Sequence, residues 1–395
     1  MIATVPEFTP ALEASIMSVS TAKLGRLNGN PLLVRESLKF YIQGLWELQK
    51  ALWHPRLMYK NETLAACLSL IMYEVVECPG KSIDGWASHM RGCAKMFELK
   101  GPTAYDSDFG HQLFLSFRVI EIQQAFAERR RTFLAGQEWI SLPFKTCAKS
   151  KFQQLLDLVV QVPNIIADGY QMLQAPLEGS TPLDPSVMLA FVLGLVDRCW
   201  KVDAQLGDFY ACLERESLGP IYWPELSTGI KGLDTETELG QVFPVAFQYL
   251  DMRMAHICLL YWATNCILWS GMAYTYQLLF GIAATASLKS GASSVGGKPQ
   301  FDITDLPPLE HRKDVASQAK NICQSVEYCL LDEHRGLGAR AAVFPLKVAI
   351  ETLHDAHCDR ELLWAQAAMS AVNQTGVQLM KHLPVSLTDH AFLPG

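Results

Sequence analysis

The sequence predicts an all-α protein built as a large multi-helix bundle, and three observations support that fold class. Apolar residues recur at spacings of three and four along most of the 395 residues, whereas the sustained alternation typical of strands is scarce. Half of the residues are hydrophobic and 18% are charged, so we expect a large buried core and little disorder. Helix start and stop residues also bracket several of the periodic segments.

The first predicted helices cover residues 31–53 and 61–77. Asn61 is the expected N-cap of the second helix, because its side chain can accept a backbone N–H in the first turn, and the turn sequence from Cys78 ends it. The helical spacing over 31–53 is carried by the apolar residues Leu38, Tyr41, Ile42, Leu45, Trp46, Leu48 and Leu52.

The next predicted helix starts at Asp84, its expected N-cap, and ends at Gly101-Pro102. Glycine suits a left-handed helix end, and proline cannot continue the helix. Helical periodicity in the rest of the chain predicts further helices over residues 111–128, 155–162, 186–213, 241–284, 312–331, 341–352 and 359–380.

The predicted domain organisation is an N-terminal extension over residues 1–30 followed by one all-helical domain over 31–395. A subdomain break is expected near 173–186, and a loop near 219–240. The segment 284–309 is the richest in Gly, Ser and Pro, so we expect a mobile loop there.

Residues 254–287 contain no Asp, Glu, Lys or Arg and are long enough to span a bilayer. Polar residues such as His256 and Asn265 interrupt the run, and Arg253 and Lys289 bracket it evenly. We therefore predict a long buried central helix, or a broken helix pair, and no membrane span. A membrane element is the alternative.

Charge and cysteine usage narrow the function. The formal net charge is −7, so the chain lacks the basic character that favours sequence-independent binding of nucleic acid. The one basic run, over residues 129–131, is interpreted as a solvated helix end.

Eleven cysteines, none in a C-x-x-C pair, and an N-terminus without a secretory signal predict a reducing compartment, namely the nucleus or cytoplasm.

Histidines are the candidate catalytic residues. His89 and His256 are the two candidates for a general base, with a satisfied core histidine as the alternative for each. The same alternatives apply to His54 and His111. The cluster from His354 to Asp359 lacks the H-E-x-x-H spacing of the common zinc helix, so no metal is expected. No phosphate-binding loop or nucleophile elbow occurs either, so no cofactor is expected.

Aromatic residues in the charge-free run are the candidate ligand-binding residues. Trp262, Trp269, Tyr274 and Tyr276 could line an apolar pocket for a hydrophobic small molecule, with His89 or His256 as its polar handle. A helical stripe of aromatic residues also occurs in an ordinary core, and that alternative stays open.

A set of loosely spaced landmarks resembles the regulatory domain of fungal zinc-cluster transcription factors. The landmarks in the first half are NETLAA over residues 61–66, Tyr73-Glu74, Trp86-x-x-His89-x-x-Gly92, Lys100-Gly101-Pro102, Gly110-x-x-Leu113-Phe114, Arg130-x-Thr132-Phe133-Leu134-Ala135, Trp139 and Pro143-Phe144. Those in the second half are Cys323-x-Ser325-x-x-Tyr328-Cys329, Gly336-x-Gly338 and Phe344-Pro345-Leu346. The resemblance implies an all-helical regulatory fold, in which the stretch around His89 is a packing helix.

One feature of that family is missing. Its members normally carry six cysteines that bind two zinc ions in a basic segment beginning C-x-x-C, whereas the first cysteine here is Cys67, inside a predicted helix. The sequence therefore predicts no direct contact with nucleic acid.

Two functions remain. The first is a regulator of fungal secondary metabolism that acts through a transcriptional partner protein and senses a metabolite. The second is a helical scaffold, encoded in a biosynthetic gene cluster, that encloses a hydrophobic metabolite and promotes cyclisation or pericyclic chemistry by positioning. Fold alone does not choose between a regulator and an enzyme.

Overall fold

A computed structural model describes residues 8–106, 108–174, 184–230, 242–290, 306–334 and 336–374, and these are mostly helical. The predicted all-α class is confirmed. The helices are α1 (Pro10–Leu27), α2 (Pro31–Trp53), α3 (Asn61–Glu77), α4 (Asp84–Lys100), α5 (Asp108–Ala127), α6 (Gln137–Ser141), α7 (Lys151–Val159), α8 (Gln161–Gln174), α9 (Pro185–Glu216), α10 (Met252–Ser290), α11 (Val315–Cys329), α12 (Leu337–Asp355) and α13 (Asp359–Gln374).

The chain divides into two compact units, each described separately below. The described residues of the first unit fall within Met1–Gln124, Thr132–Ser150 and Met369–Val385. Those of the second unit fall within Ala125–Arg131 and Lys151–Ala368. The loops predicted near 173–186, 219–240 and 284–309 lie partly outside the described residues. In the described parts, the last two predictions are partly wrong, because residues 222–226 form a strand and residues 284–290 continue a helix.

The first unit opens with a helical hairpin of α1 and α2. The Thr9 side chain caps α1 by accepting from the Leu12 N–H, and Asn30 caps α2 by accepting from the Leu32 and Leu33 N–H groups. Gly29 supplies the left-handed conformation of the turn between them, with φ +60°. Residues 10–27, expected to belong to an N-terminal extension, thus form a capped helix that packs against α2 and α3.

Small residues let the two hairpin helices approach closely. The buried side of α1 includes Ala11, Ser15, Ser18, Ala22 and Gly25. A Cβ atom added at Gly44 of α2 would lie only 3.0 Å from the Ser15 Oγ, and one at Gly25 would lie 2.9 Å from Val34. The buried side of α2 is Ser37, Tyr41, Gly44, Leu48 and Ala51, so most of its larger apolar residues lie elsewhere.

Helices α3 and α4 form the core of the first unit, and their predicted caps need correction. Asn61 is the first residue of α3, with Lys60 at the cap position, and the Asn61 Oδ1 accepts from the Lys100 Nζ at 2.5 Å. Asp84 likewise lies inside the first turn of α4, after Ile83. The predicted stop of α4 is confirmed, because Gly101 adopts a left-handed φ of +75°.

The second unit contains an antiparallel pair of strands that the sequence did not predict, β1 (Tyr222–Leu226) and β2 (Val245–Tyr249). The prediction of helix over 241–284 was wrong at its start, because β2 occupies that region and α10 begins only at Met252. β2 is held against α11 by two hydrogen bonds. The Gln324 amide donates to the Val245 carbonyl at 3.1 Å, and the Tyr249 and Ser325 hydroxyls lie 2.6 Å apart.

Helix α10 is the predicted long central helix. Its 39 residues extend about 58 Å at 1.5 Å per residue, and it packs against α9, α11 and α12. Its side chains are buried around much of its circumference from Ala255 to Leu279. Among the described helices, none combines the length and hydropathy needed to cross a membrane.

Two further boundaries differ from prediction. The helix expected over 155–162 is two helices, since α7 ends at Val159 and α8 begins at Gln161. In the first unit, the helix expected over 111–128 begins earlier, at Asp108.

We predict that Gly338→Ala destabilises the second unit by about 2 kcal/mol or more, because the added Cβ would lie 2.0 Å from the Cys329 carbonyl oxygen. Chemical denaturation of the purified chain measures this loss. The matched control is Gly207→Ala at an exposed position of α9, where an added Cβ has open space. Because alanine has the higher helix propensity, this substitution should stabilise the protein by about 0.5–1 kcal/mol. Equal effects of the two substitutions would contradict the packing described at Gly338.

Candidate functional site

The first candidate histidine, His89, lies on α4 in a buried polar cluster of the first unit. The Tyr41 hydroxyl of α2 donates to the Glu74 carboxylate of α3 and lies 3.3 Å from the His89 Nε2. Glu74 is only 3% exposed, and burial with this hydrogen bond raises the pKa of Tyr41. The cluster of Tyr41, Glu74 and His89 therefore joins α2, α3 and α4, and a role of His89 as a general base stays a prediction.

Gly85 of α4 provides room for the Glu74 carboxylate. A Cβ added at Gly85 would lie 2.6 Å from the Glu74 Oε1. Buried carboxylates need hydrogen-bond donors, so the cluster depends on Tyr41 remaining protonated beside Glu74. The raised pKa of Tyr41 agrees with that requirement.

The second candidate histidine, His256, lies on α10 in the second unit. Its ring packs against Phe152 of α7, with ring centroids 4.4 Å apart. Burial lowers its pKa to about 4, so His256 is uncharged at neutral pH. His256 thus belongs to the second unit, whereas His89 belongs to the first.

The four candidate ligand-binding aromatics all lie on α10 in the second unit, in different surroundings. Trp262 packs against the strands, with its ring centroid 5.4 Å from that of Tyr222 and 6.0 Å from that of Phe247. Trp269 and Tyr276 belong instead to a buried hydrogen-bond network, and Tyr274 of the same helix is half-buried.

That network connects α9, α10 and the segment before α11. The Trp269 Nε1 donates to Asp203 at 2.7 Å, and the other carboxylate oxygen of Asp203 accepts from Arg312. The Arg312 guanidinium lies 4.4 Å from the Trp200 ring centroid. The Trp200 Nε1 donates to the Tyr276 hydroxyl at 2.9 Å, and that hydroxyl donates to the Pro307 carbonyl. The polar atoms of Trp269 and Tyr276 are thus engaged within the protein, and their role in ligand binding stays a prediction.

An open cleft of about 550 Å³ in the second unit offers a place for a small molecule. None of the four predicted aromatic residues lines it. Its walls are Gln248, Tyr249, Leu250, Asp251, Met252, Tyr328, Leu331, Glu333, His334 and Leu337. Tyr328 contributes an aromatic wall, with its ring centroid 5.1 Å from that of Tyr249 and 4.6 Å from that of His334. The sequence landmark that ends at Cys329 contains Tyr328 of this cleft. Its spacing indicates the fold of the family and does not indicate a cleft.

The cluster from His354 to Asp359, which lacks the spacing of the common zinc helix, has few side-chain contacts. His354 and His357 are exposed, and the His354 Nδ1 lies 3.2 Å from the Asp355 carboxylate. Within the described residues, no group of three or more His, Cys, Asp and Glu side chains is arranged to hold a metal ion.

Helix α2 exposes a row of large apolar side chains to solvent. Leu38, Ile42 and Trp46 are 38%, 53% and 67% exposed, and Trp53 further along the helix is 78% exposed. We call these four residues the α2 face. Their spacing of four, four and seven places them along one side of the helix over about 22 Å. The periodic apolar residues of α2 therefore do not form a single buried stripe.

Basic groups accompany the α2 face. Arg35, Lys39 and Lys50 lie along α2, and the Lys50 Nζ is 5.6 Å from the Trp46 ring centroid. Lys39 and Lys50 also pair with Glu36 and Glu47. Residues 10–60 hold seven Lys and Arg against three Glu, whereas the whole chain has a formal net charge of −7. Residues 10–60 therefore carry a local excess of basic residues in an acidic chain.

A known family matches most of the first unit and the beginning of the second. Residues 4–165 match the family described as the Fungal specific transcription factor domain. The match covers about two fifths of the chain and confirms the resemblance carried by the landmarks up to Phe144. The landmarks from Cys323 to Leu346 lie outside it.

One curated relative is similar over part of its length. Uncharacterized protein AN5342 of Emericella nidulans is 27% identical over 128 residues, which are 32% of this chain. The aligned region spans about a quarter of that relative, namely 27%. No solved structure matches the chain significantly.

We predict that His256 makes stability fall in mild acid. Unfolded histidine binds a proton below about pH 6.5, whereas His256 in the folded chain binds one only below about pH 4. The unfolded state therefore holds more protons in that window, and the free energy of unfolding falls by about 1.4 kcal/mol per pH unit as pH decreases. His256→Gln should remove this contribution in denaturation curves measured from pH 7 to 4.

The control for this pH dependence is His354→Gln, because His354 is exposed in the same unit. Parallel pH curves for the wild type and the His256→Gln variant would contradict the burial described for His256.

We also predict that Asp203→Asn destabilises the second unit by about 3 kcal/mol, because it leaves the Arg312 charge without its carboxylate in a largely buried network. Thermal and chemical denaturation measure the loss. Asp208→Asn on the exposed side of the same helix should change stability by less than about 0.5 kcal/mol. If both substitutions are neutral, the network does not hold these elements together.

Proposed function

We propose that this chain is a regulatory protein of the fungal transcription factor type and that it acts by binding a protein partner on the α2 face. The observation that carries the proposal is the solvent exposure of Trp46, Trp53 and Ile42 in one row. Tryptophan dominates binding energy at many protein interfaces, and exposed rows of large apolar residues mark interaction sites. The row lies within residues 4–165, the region that matches the transcription factor family.

The partner segment is an acidic amphipathic helix. A row spaced at four and seven residues along α2 presents a ridge about four turns long, which matches the i, i+4, i+7 anchors of a second helix. Arg35 and the excess of basic residues over 10–60 favour acidic side chains at the margins of that helix. Lys50 beside Trp46 places one such charge next to the apolar row.

In this proposal the partner, rather than this chain, reads DNA, and the chain works in the nucleus. The net charge of −7 does not favour phosphate binding. Eight of the eleven cysteines are buried in the helical cores, where they pack as small apolar residues. Control of fungal secondary metabolism is the pathway-level part of the proposal.

A metabolite would bind in the cleft of the second unit. Its volume of about 550 Å³ is in the range of small-molecule sites. The same cleft supports the alternative function, a biosynthetic scaffold that promotes cyclisation or pericyclic chemistry by positioning a hydrophobic metabolite without a cofactor. Incubation of purified protein with pathway intermediates separates the two, because an enzyme converts them and a sensor only binds them.

We predict that a labelled acidic helical peptide with apolar residues at i, i+4 and i+7 binds the full chain, and that Trp46→Ala weakens binding at least about tenfold. Fluorescence anisotropy measures the affinity. Raising the salt concentration should also weaken binding of the peptide to the wild-type chain, because basic groups flank the apolar row. Trp46 is exposed, so the substitution should leave thermal stability unchanged.

The matched control is Leu99→Ala, since Leu99 is an exposed apolar residue on a different helix, α4. A peptide of the same composition with its apolar residues scrambled is the control for helix geometry. Equal affinity for both peptides, or wild-type affinity after Trp46→Ala, would count against partner binding at this face.

A further inference from the structure

Cys147 is the exposed cysteine of the chain, and its side chain contacts a histidine ring. All eleven cysteines lie in the described residues, eight are buried, and Cys212 and Cys358 are half-buried, whereas Cys147 is exposed. Its Sγ lies 3.4 Å from the Nε2 of His111 in the same unit. An accessible thiol in contact with an imidazole nitrogen is the arrangement that activates cysteine nucleophiles.

The hydrogen bond at the Nδ1 atom of His111 determines whether its Nε2 atom donates or accepts a proton. The His111 Nδ1 lies 2.9 Å from the Tyr105 carbonyl oxygen, which can only accept, so Nδ1 carries the proton and donates it. In the neutral ring, Nε2 is then the proton acceptor and faces the Cys147 thiol. His111 is only 8% exposed and packs edge-on against Phe144, so its ring is held in place.

The loop around Cys147 is also held in place. The hydroxyl of the preceding Thr146 donates to the Asp106 carbonyl oxygen, next to the Tyr105 carbonyl that orients His111. The short 3-10 helix Leu142–Phe144 leads into the loop, and its Phe144 is buried. The Cys–His contact therefore joins two anchored segments.

Basic residues occur near the pair. Lys145 and Lys149 flank Cys147 in the sequence, and the Lys149 Nζ lies 4.8 Å from the Phe144 ring centroid. The Arg118 guanidinium lies 5.5 Å from the same ring, and Asp106 is the acidic residue of the neighbouring segment. Basic neighbours stabilise a thiolate and an anion formed on a substrate oxygen.

We propose that Cys147 and His111 form a reactive site for covalent addition of small α,β-unsaturated carbonyl compounds. His111 Nε2 takes the thiol proton, and the Cys147 sulfur forms a bond to the β-carbon as the carbon–carbon π electrons move to the carbonyl oxygen. The resulting enolate takes a proton on its α-carbon from the His111 imidazolium. Thiol and alkene combine into a thioether, so the addition needs no oxidant or leaving group. The site is independent of the partner proposed for the α2 face.

N-ethylmaleimide is the test probe, because it is an α,β-unsaturated carbonyl compound that adds to thiols. The purified full chain is treated at pH 7, and mass spectrometry of peptides follows alkylation at each cysteine over time. We expect Cys147 to react at least about tenfold faster than half-buried Cys358. A rate at Cys147 equal to that at Cys358 would overturn the proposal.

His111→Asn separates activation from simple exposure. The asparagine amide can keep donating to the Tyr105 carbonyl while the acceptor nitrogen that faces Cys147 is removed. In the folded variant, we expect the alkylation rate at Cys147 to fall at least about tenfold and the rate at Cys358 to stay unchanged. A wild-type rate at Cys147 in this variant would overturn the role of His111.

A second variant keeps the test decisive if His111→Asn fails to fold. Lys145→Gln, at an exposed position, removes one basic neighbour without touching the Cys–His contact. Alkylation at Cys147 should slow about two- to threefold at low salt, and added salt should reduce the difference from wild type. A salt-independent rate that is the same in both proteins, together with no preference for Cys147 over Cys358, would overturn the proposal.

Discussion

Close packing of small residues between α1 and α2 is the constraint on which the surface of the first unit depends. Ser15 and Gly44 meet at a distance that leaves no room for a larger side chain, and Gly25 has the same role beside Val34. Helices that approach through small residues exclude large side chains from their interface. On α2 this places Ile42 and Trp46 on the solvent side, where they form the α2 face with Leu38 and Trp53.

Polar contacts inside each unit hold helices in position, whereas the α2 face is open to solvent. Buried Glu74 in the first unit and buried Asp203 in the second are each satisfied by donors from other helices. Such contacts fix helix positions because an unsatisfied buried carboxylate is costly.

Most of the fold could be predicted from the sequence, because large apolar residues at helical spacing mark α3, α4 and α10 clearly. The missed elements have physical reasons. Apart from Leu12, helix α1 buries only Ala, Ser and Gly, so its apolar signal is weak. Strand β2 directly precedes α10, and its short apolar run cannot be told from a helix start by periodicity.

The candidate site was harder to predict than the fold. Trp46 and Trp269 both occur in periodic apolar segments, yet one is exposed and the other donates to a buried carboxylate. Periodicity shows which side chains share one side of a helix. It does not show whether neighbouring elements bury that side. The Cys147–His111 contact joins residues 36 positions apart, so only the fold reveals it.

Oxidative footprinting of tryptophan side chains tests the central claim most directly, since it measures solvent access at each position. In the free protein, Trp46 and Trp53 should be modified fastest, and the buried Trp139 and Trp262 should be protected. An acidic amphipathic peptide should then protect Trp46 and leave Trp262 unchanged. Protection of Trp46 in the free protein equal to that of Trp262, or no change at Trp46 with saturating peptide, would contradict the account.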